Sequence, residues 1–255
     1  MRRSAINTLA RLSVAALCLR TLSLFALVLL AASCSKKTLP NSPDPFPDLH
    51  VVSVSPSDNA TGVAAATNPT ITFSAEVPVS TLGMVLAPAP QNFYSSLQAG
   101  SDPKQIISRA ALSANTNYSV VIFSASDKFS DRLRTPFVSH FSTGSANAAG
   151  TVSGVSVAPF NEPTRGFVGL LRKQPLAVFE ASAPDQDFLN NLVSVTTIKD
   201  STGAYTLTNV PPGTYWPFSA LDVDRNGRFS LEQGSDRMQG YDANTDFIAD
   251  SIVVA

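Results

Sequence analysis

The stretch LSANTNYSVVI, residues 112–122, indicates most clearly how this chain folds. Its small polar residues, with Asn115 and Asn117, predict a loop, and Tyr118 opens a β-branched run that predicts a strand. Similar short runs of Val, Ile, Thr and Phe recur from His50 onward, separated by Pro, Gly, Asn and Asp. We find no long stretch with helical periodicity. The sequence therefore predicts an all-β protein of the sandwich type.

The strands nearest the start of this region show which side chains should be buried. In VVSVS, residues 51–55, Val52 and Val54 alternate with polar residues, which predicts a strand with one buried face. Ile71 and Phe73 are expected to point inward from the next strand.

Four separated segments between residues 50 and 144 resemble the bacterial Ig-like domain of the SbsA type (the Big family). They are PSDNATGV at 56–63, TFS at 72–74, LSANTNY at 112–118 and FSTG at 141–144. The resemblance implies an Ig-like β-sandwich over residues 50–144, with a shortened segment at 77–108. Tyr118 would then either form a tyrosine-corner-like contact or simply pack in the core.

The small polar segment GSANAAG, residues 144–150, predicts a boundary before a second domain at 149–255. TVSGV at 151–155 and DSTGAYTLTNVPPGTY at 200–215 resemble the carboxypeptidase regulatory-like (transthyretin-like) family. That resemblance implies a second, prealbumin-like β-sandwich in tandem with the first.

The sequence also predicts three local features of this second domain. Gly203 should form a tight turn, and Pro217 predicts an edge strand or a bulge. Residues 183–192 predict one short helix with Asp185 as its cap.

The first 33 residues have the pattern of a secretory signal, with four arginines, an apolar run and small residues. The uninterrupted apolar stretch at 21–33 is shorter than the about 20 residues needed to span a bilayer. An uncleaved anchor helix at 12–30 is the alternative, and Arg20 argues against it, because a central arginine costs about 2.5–3.5 kcal/mol.

The segment around Cys34 resembles the lipobox of bacterial lipoproteins. This implies cleavage after residue 33, acylation of Cys34, and a Pro-rich tether over 34–49. Ser35 is similar to the signal for export to the outer membrane, where the chain would be lipid-anchored and periplasmic or surface-exposed. Without the signal, 18 basic residues less four arginines leave 14 against 19 acids, a net charge of −5. An acidic chain argues against a nucleic-acid partner.

One motif has the residue types and the spacing of a metal-binding loop. DVDRNGRFS, residues 222–230, spaces oxygen-bearing side chains at alternate positions before Gly227, as calcium loops do. The EF-hand pattern requires an acid at position 12, where this chain has Gln233, so other residues would close the shell. The predicted ligands are Asp222, Asp224, Asn226, Arg228 through its carbonyl, Ser230, Glu232 and Asp236, with Asp242, Asp246 and Asp250 as further candidates. The alternative is a turn of Asp, Asn and Gly residues without an ion.

No catalytic motif stands out, and His50 and His140 suggest no metal or nucleophile site, so we expect no enzymatic activity. We predict a lipid-anchored envelope protein with a structural, adhesive or surface-presenting role, whose partners are the membrane, an envelope glycan or a surface protein. The alternative is a glycan- or ligand-binding accessory lipoprotein, with Tyr215 and Trp216 as a stacking platform. An enzyme would need two facing carboxylates among residues 222–250.

Overall fold

The structure, a computed structural model, describes residues 48–157, 164–232, 236–246 and 248–255. The predicted signal, Cys34 and the tether up to residue 47 lie outside these residues. Within the described ranges, no helix is long and apolar enough to cross a membrane.

The first half of the described chain forms two antiparallel sheets. One has the strand order β1-β2-β5-β4 and the other the order β3-β6-β7. Short 3-10 helices precede β3 and β4, at Val79–Thr81 and Tyr94–Ser96. The strands are β1 (Val51–Ser55), β2 (Thr70–Phe73), β3 (Gly83–Ala87), β4 (Leu97–Ala99), β5 (Gln105–Ser108), β6 (Asn117–Ser124) and β7 (Phe137–Ser142).

The second half adds seven strands and two short helices. Its larger sheet has the order β10-β9-β12-β13, with β14 also paired to β12, and β8 pairs with β11. The elements are β8 (Gly150–Val155), β9 (Gly166–Leu171), α1 (Pro175–Phe179), α2 (Pro184–Asn191), β10 (Leu192–Thr196), β11 (Ala204–Val210), β12 (Gly213–Leu221), β13 (Arg237–Gly240) and β14 (Ile252–Val254). The prediction of a nearly all-β sandwich protein is confirmed.

Strand β6 is buried on both of its faces, and each face belongs to a different core. Tyr118, Val120 and Ile122 pack in the core of the first half. Val121 and Phe123 point the other way and pack against the second half. Because side chains alternate along a strand, a strand covered on both sides needs a continuous apolar run. The sheet of β3, β6 and β7 is therefore a middle layer between two cores.

Strand β9 divides its side chains in the same way. Phe167 and Leu171 enter the middle core together with Phe123, while Val168 and Leu170 enter a third core formed with β11 and β14. The described sheets thus enclose three apolar clusters. Residues Pro47–Ala255 form one compact unit. The boundaries at 144 and 149 remain predictions, whereas the packing joins the two halves across a shared core.

Aromatic rings dominate this middle core. The ring of Phe167 lies 5.6 Å from that of Phe123 in the first half, and 6.0 Å and 5.5 Å from those of Phe218 and Phe229, measured between centroids. Helix α2 contributes Phe188, whose ring meets that of Phe229 at 5.1 Å. Such pairs add about 0.5–1.5 kcal/mol each beyond the burial of their area.

Polar contacts also hold the halves together. Asn147, in the predicted boundary segment, donates its side-chain amide to the carbonyl of Asn59 at 3.0 Å. Asn209 of β11 donates to the Asn59 side chain, also at 3.0 Å. In the interior, the Val195 amide of β10 donates to the Ser119 hydroxyl of β6 at 2.8 Å. The boundary segment is therefore attached to the first half.

Two predicted burial patterns have different outcomes. Ile71 and Phe73 are buried in the first core, as predicted. The prediction for Val52 is wrong, because its side chain is 59% exposed. An irregularity between Val51 and Ser53 shifts the pairing register with β2, so Val51 and Val54 pack against the core instead.

The N-terminal boundary of the first domain also differs from the prediction. Leu49, assigned to the tether, is 2% exposed and belongs to the first core. The segment 77–108 contains three strands, and one of them, β3, lies in the middle layer; its shortening relative to the family stays a prediction. Tyr118 combines both expected roles, because it is buried in the core and its hydroxyl accepts a 2.6 Å bond from the Ser113 amide.

Gly203 has a φ of +80° in the turn before β11, as predicted. The prediction of an edge strand or a bulge at Pro217 is wrong, since β12 is flanked by β9 on one side and by β13 and β14 on the other, and its pairing with β9 runs through Pro217 without an irregularity. β14 pairs with residues up to Tyr215, and β13 pairs from Phe218 onward. Pro217 lies between the two ladders: its carbonyl accepts the Tyr241 amide at 2.9 Å, but it has no N–H to donate in return, so the pairing with β13 ends at Phe218.

We predict that Phe123→Ala destabilises both halves together. Truncating a buried Phe costs about 3–5 kcal/mol, so the urea midpoint should fall sharply. The chain has one Trp, Trp216 in β12, and its fluorescence reports on the second half. Phe129→Ala is the control, because that ring is 64% exposed. If the urea midpoint followed by Trp216 fluorescence is the same in Phe123→Ala as in the wild type, the shared core is contradicted.

Candidate functional site

Sheet pairing places two carboxylates at the same end of the second half. Leu221 of β12 pairs with Arg237 of β13, so Asp222 and Asp236 meet just beyond this ladder. One oxygen each from Asp222, Asp224 and Asp236 lie within 4.8 Å of one another. Two oxygens that share a calcium ion at about 2.4 Å are separated by no more than about 4.8 Å. The spacing therefore suits a single hard cation.

Backbone amides hold these carboxylates in place. Asp236 accepts bonds from the amides of Val223, at 2.9 Å, and Ser230, at 2.8 Å, and so joins the two ends of the loop 222–230. Asp222 accepts the Gly227 amide through Oδ2 at 2.9 Å.

Asp222 also has an oxygen without a partner. The residue is 2% exposed, and its Oδ1 is inaccessible and receives no hydrogen bond from any described residue. Leaving a buried acceptor unsatisfied costs about 1–3 kcal/mol, and more for a charged group. Burial raises the pKa of Asp222 to about 6, and the neighbouring charge of Asp236 acts in the same direction. Burial likewise raises the pKa of Asp236, with a contribution from Asp224.

The other predicted ligands have different surroundings. The Asn226 side chain donates to Asp224 at 2.9 Å and accepts the Arg228 amide at 2.6 Å. The Ser230 hydroxyl donates to Asp185 at 2.7 Å, and Glu232 is exposed. Their ligation, and that of the Arg228 carbonyl, stays a prediction.

The further candidate acids, Asp242, Asp246 and Asp250, lie between β13 and β14. Asp246 accepts the Ile248 amide, and Asp250 accepts the Ala243 amide. Among the described residues, the carboxylates that gather closely enough for one ion are those of Asp222, Asp224 and Asp236.

Asp185 is a residue of this site that the sequence did not reveal. The N-cap of α2 is Ala183, without a side-chain bond, so the prediction of Asp185 as the cap is wrong. Its carboxylate instead accepts bonds from the Ser230 hydroxyl and from the amides of Leu231 and Glu232. Because these partners lie at least 45 positions away, no local pattern could indicate them.

The loop also packs on the first half. Gly227 has a φ of +78°, and a Cβ there would lie 2.8 Å from the carbonyl oxygen of Leu82. Only glycine permits that backbone conformation and approach. The hydroxyl of Tyr94, in the first half, is inaccessible to solvent, and burial raises the pKa of Tyr94 well above its ordinary value.

The two predicted stacking residues differ in exposure. Tyr215 is 5% exposed, and its hydroxyl donates to the Pro211 carbonyl at 3.0 Å. Trp216 is half-buried. Of the histidines, His50 is exposed and its Nδ1 lies 2.7 Å from the Asp48 carbonyl, while burial lowers the pKa of His140.

Residues 47–143 match the family described as the bacterial Ig-like domain, which agrees with the resemblance noted for residues 50–144. No curated protein matches the chain.

Several solved structures resemble the fold only weakly. CopC from Methylosinus trichosporium OB3b is 16% identical, with 37% of this chain and 91% of CopC covered and a TM-score of 0.29. The N-terminal part of the bacterial S-layer protein SbsC is 10% identical, with 82% and 44% covered and a TM-score of 0.28. Native alpha-2-macroglobulin from Escherichia coli is 10% identical, with 81% and 96% covered and a TM-score of 0.28. Likenesses this weak carry no functional argument.

We predict that Asp185→Ala destabilises the protein by about 1–3 kcal/mol, because it leaves the three donors at residues 230–232 without this acceptor. Asp187→Ala is the matched control on the same helix. Asp187 forms a partly exposed salt bridge with Lys173 at 2.8 Å, and such a pair contributes about 0–1 kcal/mol. Urea unfolding measures the free energy of unfolding of both variants. An equal loss of stability in the two would contradict the role assigned to Asp185.

Proposed function

We propose that this chain is a lipid-anchored protein of the bacterial cell envelope with a structural or surface-presenting role and no catalytic activity. The observation that carries the proposal is the lipobox-like segment ending at Cys34, followed by a Pro-rich tether and an Ig-like domain match over residues 47–143. One acyl chain binds membranes only marginally, so the several chains of a lipoprotein would be needed to anchor the fold stably.

The packing supports a structural role. The two halves bury a common aromatic core, so they would resist bending at their junction more than domains on a flexible linker. A stiff unit on a tether of about fifteen residues suits the spacing or presentation of a surface. The glycan-binding alternative through Tyr215 and Trp216 has less support, because the Tyr215 ring is buried.

Lipidation is tested by expressing the full chain in a bacterium fed a clickable fatty acid. We expect the label on the wild type, a mature chain that begins at Cys34, and recovery in the membrane fraction. Cys34→Ser should lose the label and the cleavage. Cys18→Ser, which removes the other cysteine, should keep both. An unlabelled wild type with residues 1–33 intact by mass spectrometry would refute the anchor.

We further propose a structural calcium ion at Asp222, Asp224 and Asp236. Hard oxygens are the ligands that calcium prefers, and an ion here would supply the missing partner of the buried Asp222 Oδ1. It would also offset the repulsion among three close carboxylates. Its role would be to rigidify the loop that packs on the first half.

The calcium proposal is tested by melting the purified full chain with calcium and with a chelator. An ion at a hundredfold its Kd adds about 2.7 kcal/mol, so calcium should raise the wild-type midpoint clearly. Asp222→Asn should abolish this shift without lowering the midpoint in chelator, because the neutral amide ends the repulsion. Glu180→Gln, an exposed acid outside the cluster, should keep the shift. A wild-type melting midpoint that is the same in calcium and in chelator would refute the site.

A further inference from the structure

A cleft of about 440 Å³ lies in the second half, and none of the carboxylates of the cluster lines it. Its volume falls within the range of small-molecule sites, which is about 300–1,000 Å³. Most of its lining is apolar, and the lining includes the side chains of two tyrosines, Tyr205 and Tyr241. An apolar lining with a small number of polar groups is typical of ligand sites.

The cleft exists because one face of the larger sheet is covered only in part. Over β9, this face belongs to the third core, where Val168 and Leu170 pack with Leu207 of β11. Side chains alternate along a strand, and on β12 the residues of this face that line the cleft are Pro217 and Ser219. The cleft therefore begins where the cover provided by β11 ends.

Strand β13 extends the same face beyond the third core. Gln239 pairs with Ser219, and the Tyr241 amide donates to the Pro217 carbonyl at 2.9 Å. Directly opposed residues point to the same side of a sheet, so the side chains of Gln239 and Tyr241 project from the uncovered face. Gln239 is exposed, and Tyr241 is 45% exposed.

Strands β8 and β11 form the wall of the cleft. Tyr205 of β11 packs against the third core and lines the cleft. Val155, at the end of β8, and Val157 also line the cleft and are 65% and 60% exposed. Between them, the Ser156 hydroxyl accepts a 3.0 Å bond from the Ser219 hydroxyl, which joins the wall to the sheet.

The two tyrosines lie near each other, and their hydroxyls are available to a ligand. Burial raises the pKa of Tyr205, and the neighbouring Tyr241 acts in the same direction. Neither hydroxyl, nor the side-chain amide of Gln239, forms a hydrogen bond with any residue in the described ranges. A phenol and an amide can each donate and accept, so these groups suit a ligand that carries hydroxyls.

The charges around the cleft do not favour an anion. The charged side chain in the lining is that of Asp242, which has other contacts in the fold, and Asp246 and Asp250 follow in the same segment. Arg237 precedes Gln239 on the same face of β13 but lies outside the lining. Among the described residues, no basic side chain lines the cleft. Recognition would therefore depend on the rings and on neutral hydrogen-bonding groups.

We propose that this cleft binds a neutral sugar unit of a glycan. A pyranose ring has an apolar face of C–H groups, which packs on an aromatic ring, and hydroxyls at its rim. The exposed ring of Tyr241 stacks on the sugar, while the Tyr205 hydroxyl and the Gln239 amide bond its hydroxyls. The site requires neither the lipid anchor nor calcium, so its test is independent of both.

This site is separate from a stacking platform at Trp216. Trp216 and Phe218 share the opposite face of β12, because side chains alternate along the strand, and Phe218 enters the middle core. Trp216 therefore points away from the cleft, and Trp216→Phe should leave sugar binding unchanged.

Isothermal titration of the purified full chain tests the proposal with neutral maltohexaose, cellohexaose and chitohexaose, and with anionic trigalacturonate. At least one neutral oligosaccharide should bind, with an affinity that added salt does not lower, because no ion pair is involved. Trigalacturonate should not bind. The proposal is overturned if none of the neutral oligosaccharides binds at millimolar concentration, or if trigalacturonate binds as tightly as they do.

Substitutions in the cleft locate the site. Tyr241→Ala should weaken binding of the best oligosaccharide by about tenfold or more, through loss of the stacked ring, whereas Tyr241→Phe should keep most of the affinity. Gln239→Ala should weaken it by about two- to tenfold, as expected for a lost hydrogen bond. Phe129→Ala, which removes an exposed ring of the first half, is the matched control and should bind as the wild type does. Wild-type affinity in both Tyr241→Ala and Gln239→Ala would overturn the assignment.

A second copy of the chain would compete for the same apolar surface, and sedimentation without sugar distinguishes the two occupants. The wild type and Tyr241→Ala should both be monomers if the cleft serves a sugar. A wild-type dimer that Tyr241→Ala dissociates would assign the cleft to self-association and overturn the proposal. Trp216 fluorescence in urea shows whether each variant is folded.

Discussion

The constraint on which the structure depends is that the sheet of β3, β6 and β7 has two apolar faces. Val121 and Phe123 on one face of β6 are as completely buried as Ile122 on the other. Burying each such side chain contributes about 1.5–3 kcal/mol, so a first half standing alone would lose that contribution over a whole face. The second half covers this face with Phe167, Phe218 and their neighbours.

The carboxylate cluster depends on the same packing. The loop 222–230 leaves β12 beside the first half, where Gly227 approaches Leu82 and the hydroxyl of Tyr94 is closed off from solvent. Burial is also what raises the pKa of Asp222 and Asp236, because their charges are removed from water. A cation at this cluster would compensate the charge of the three close carboxylates.

Local patterns could be predicted from the sequence, and long-range ones could not. The strand character of residues 117–122, the inward Ile71 and Phe73, and the turn at Gly203 depend on near neighbours along the chain. The close spacing of Asp222 and Asp224 was also visible. The run VVIF of β6 predicts a buried strand, but it does not reveal that its second face belongs to residues more than forty positions later. The bonds of Asp185, the outward Val52 and the central position of Pro217 depend on strand pairing, which one sequence does not specify.

Native-state hydrogen exchange tests most directly whether the two halves are one cooperative unit. Amides of β6 at Val121 and Phe123 should exchange with the same opening free energy as amides of β9 and β12 at Phe167 and Phe218, because only global unfolding exposes them. Two separate opening free energies, with one half exchanging while the other stays protected, would contradict the shared core.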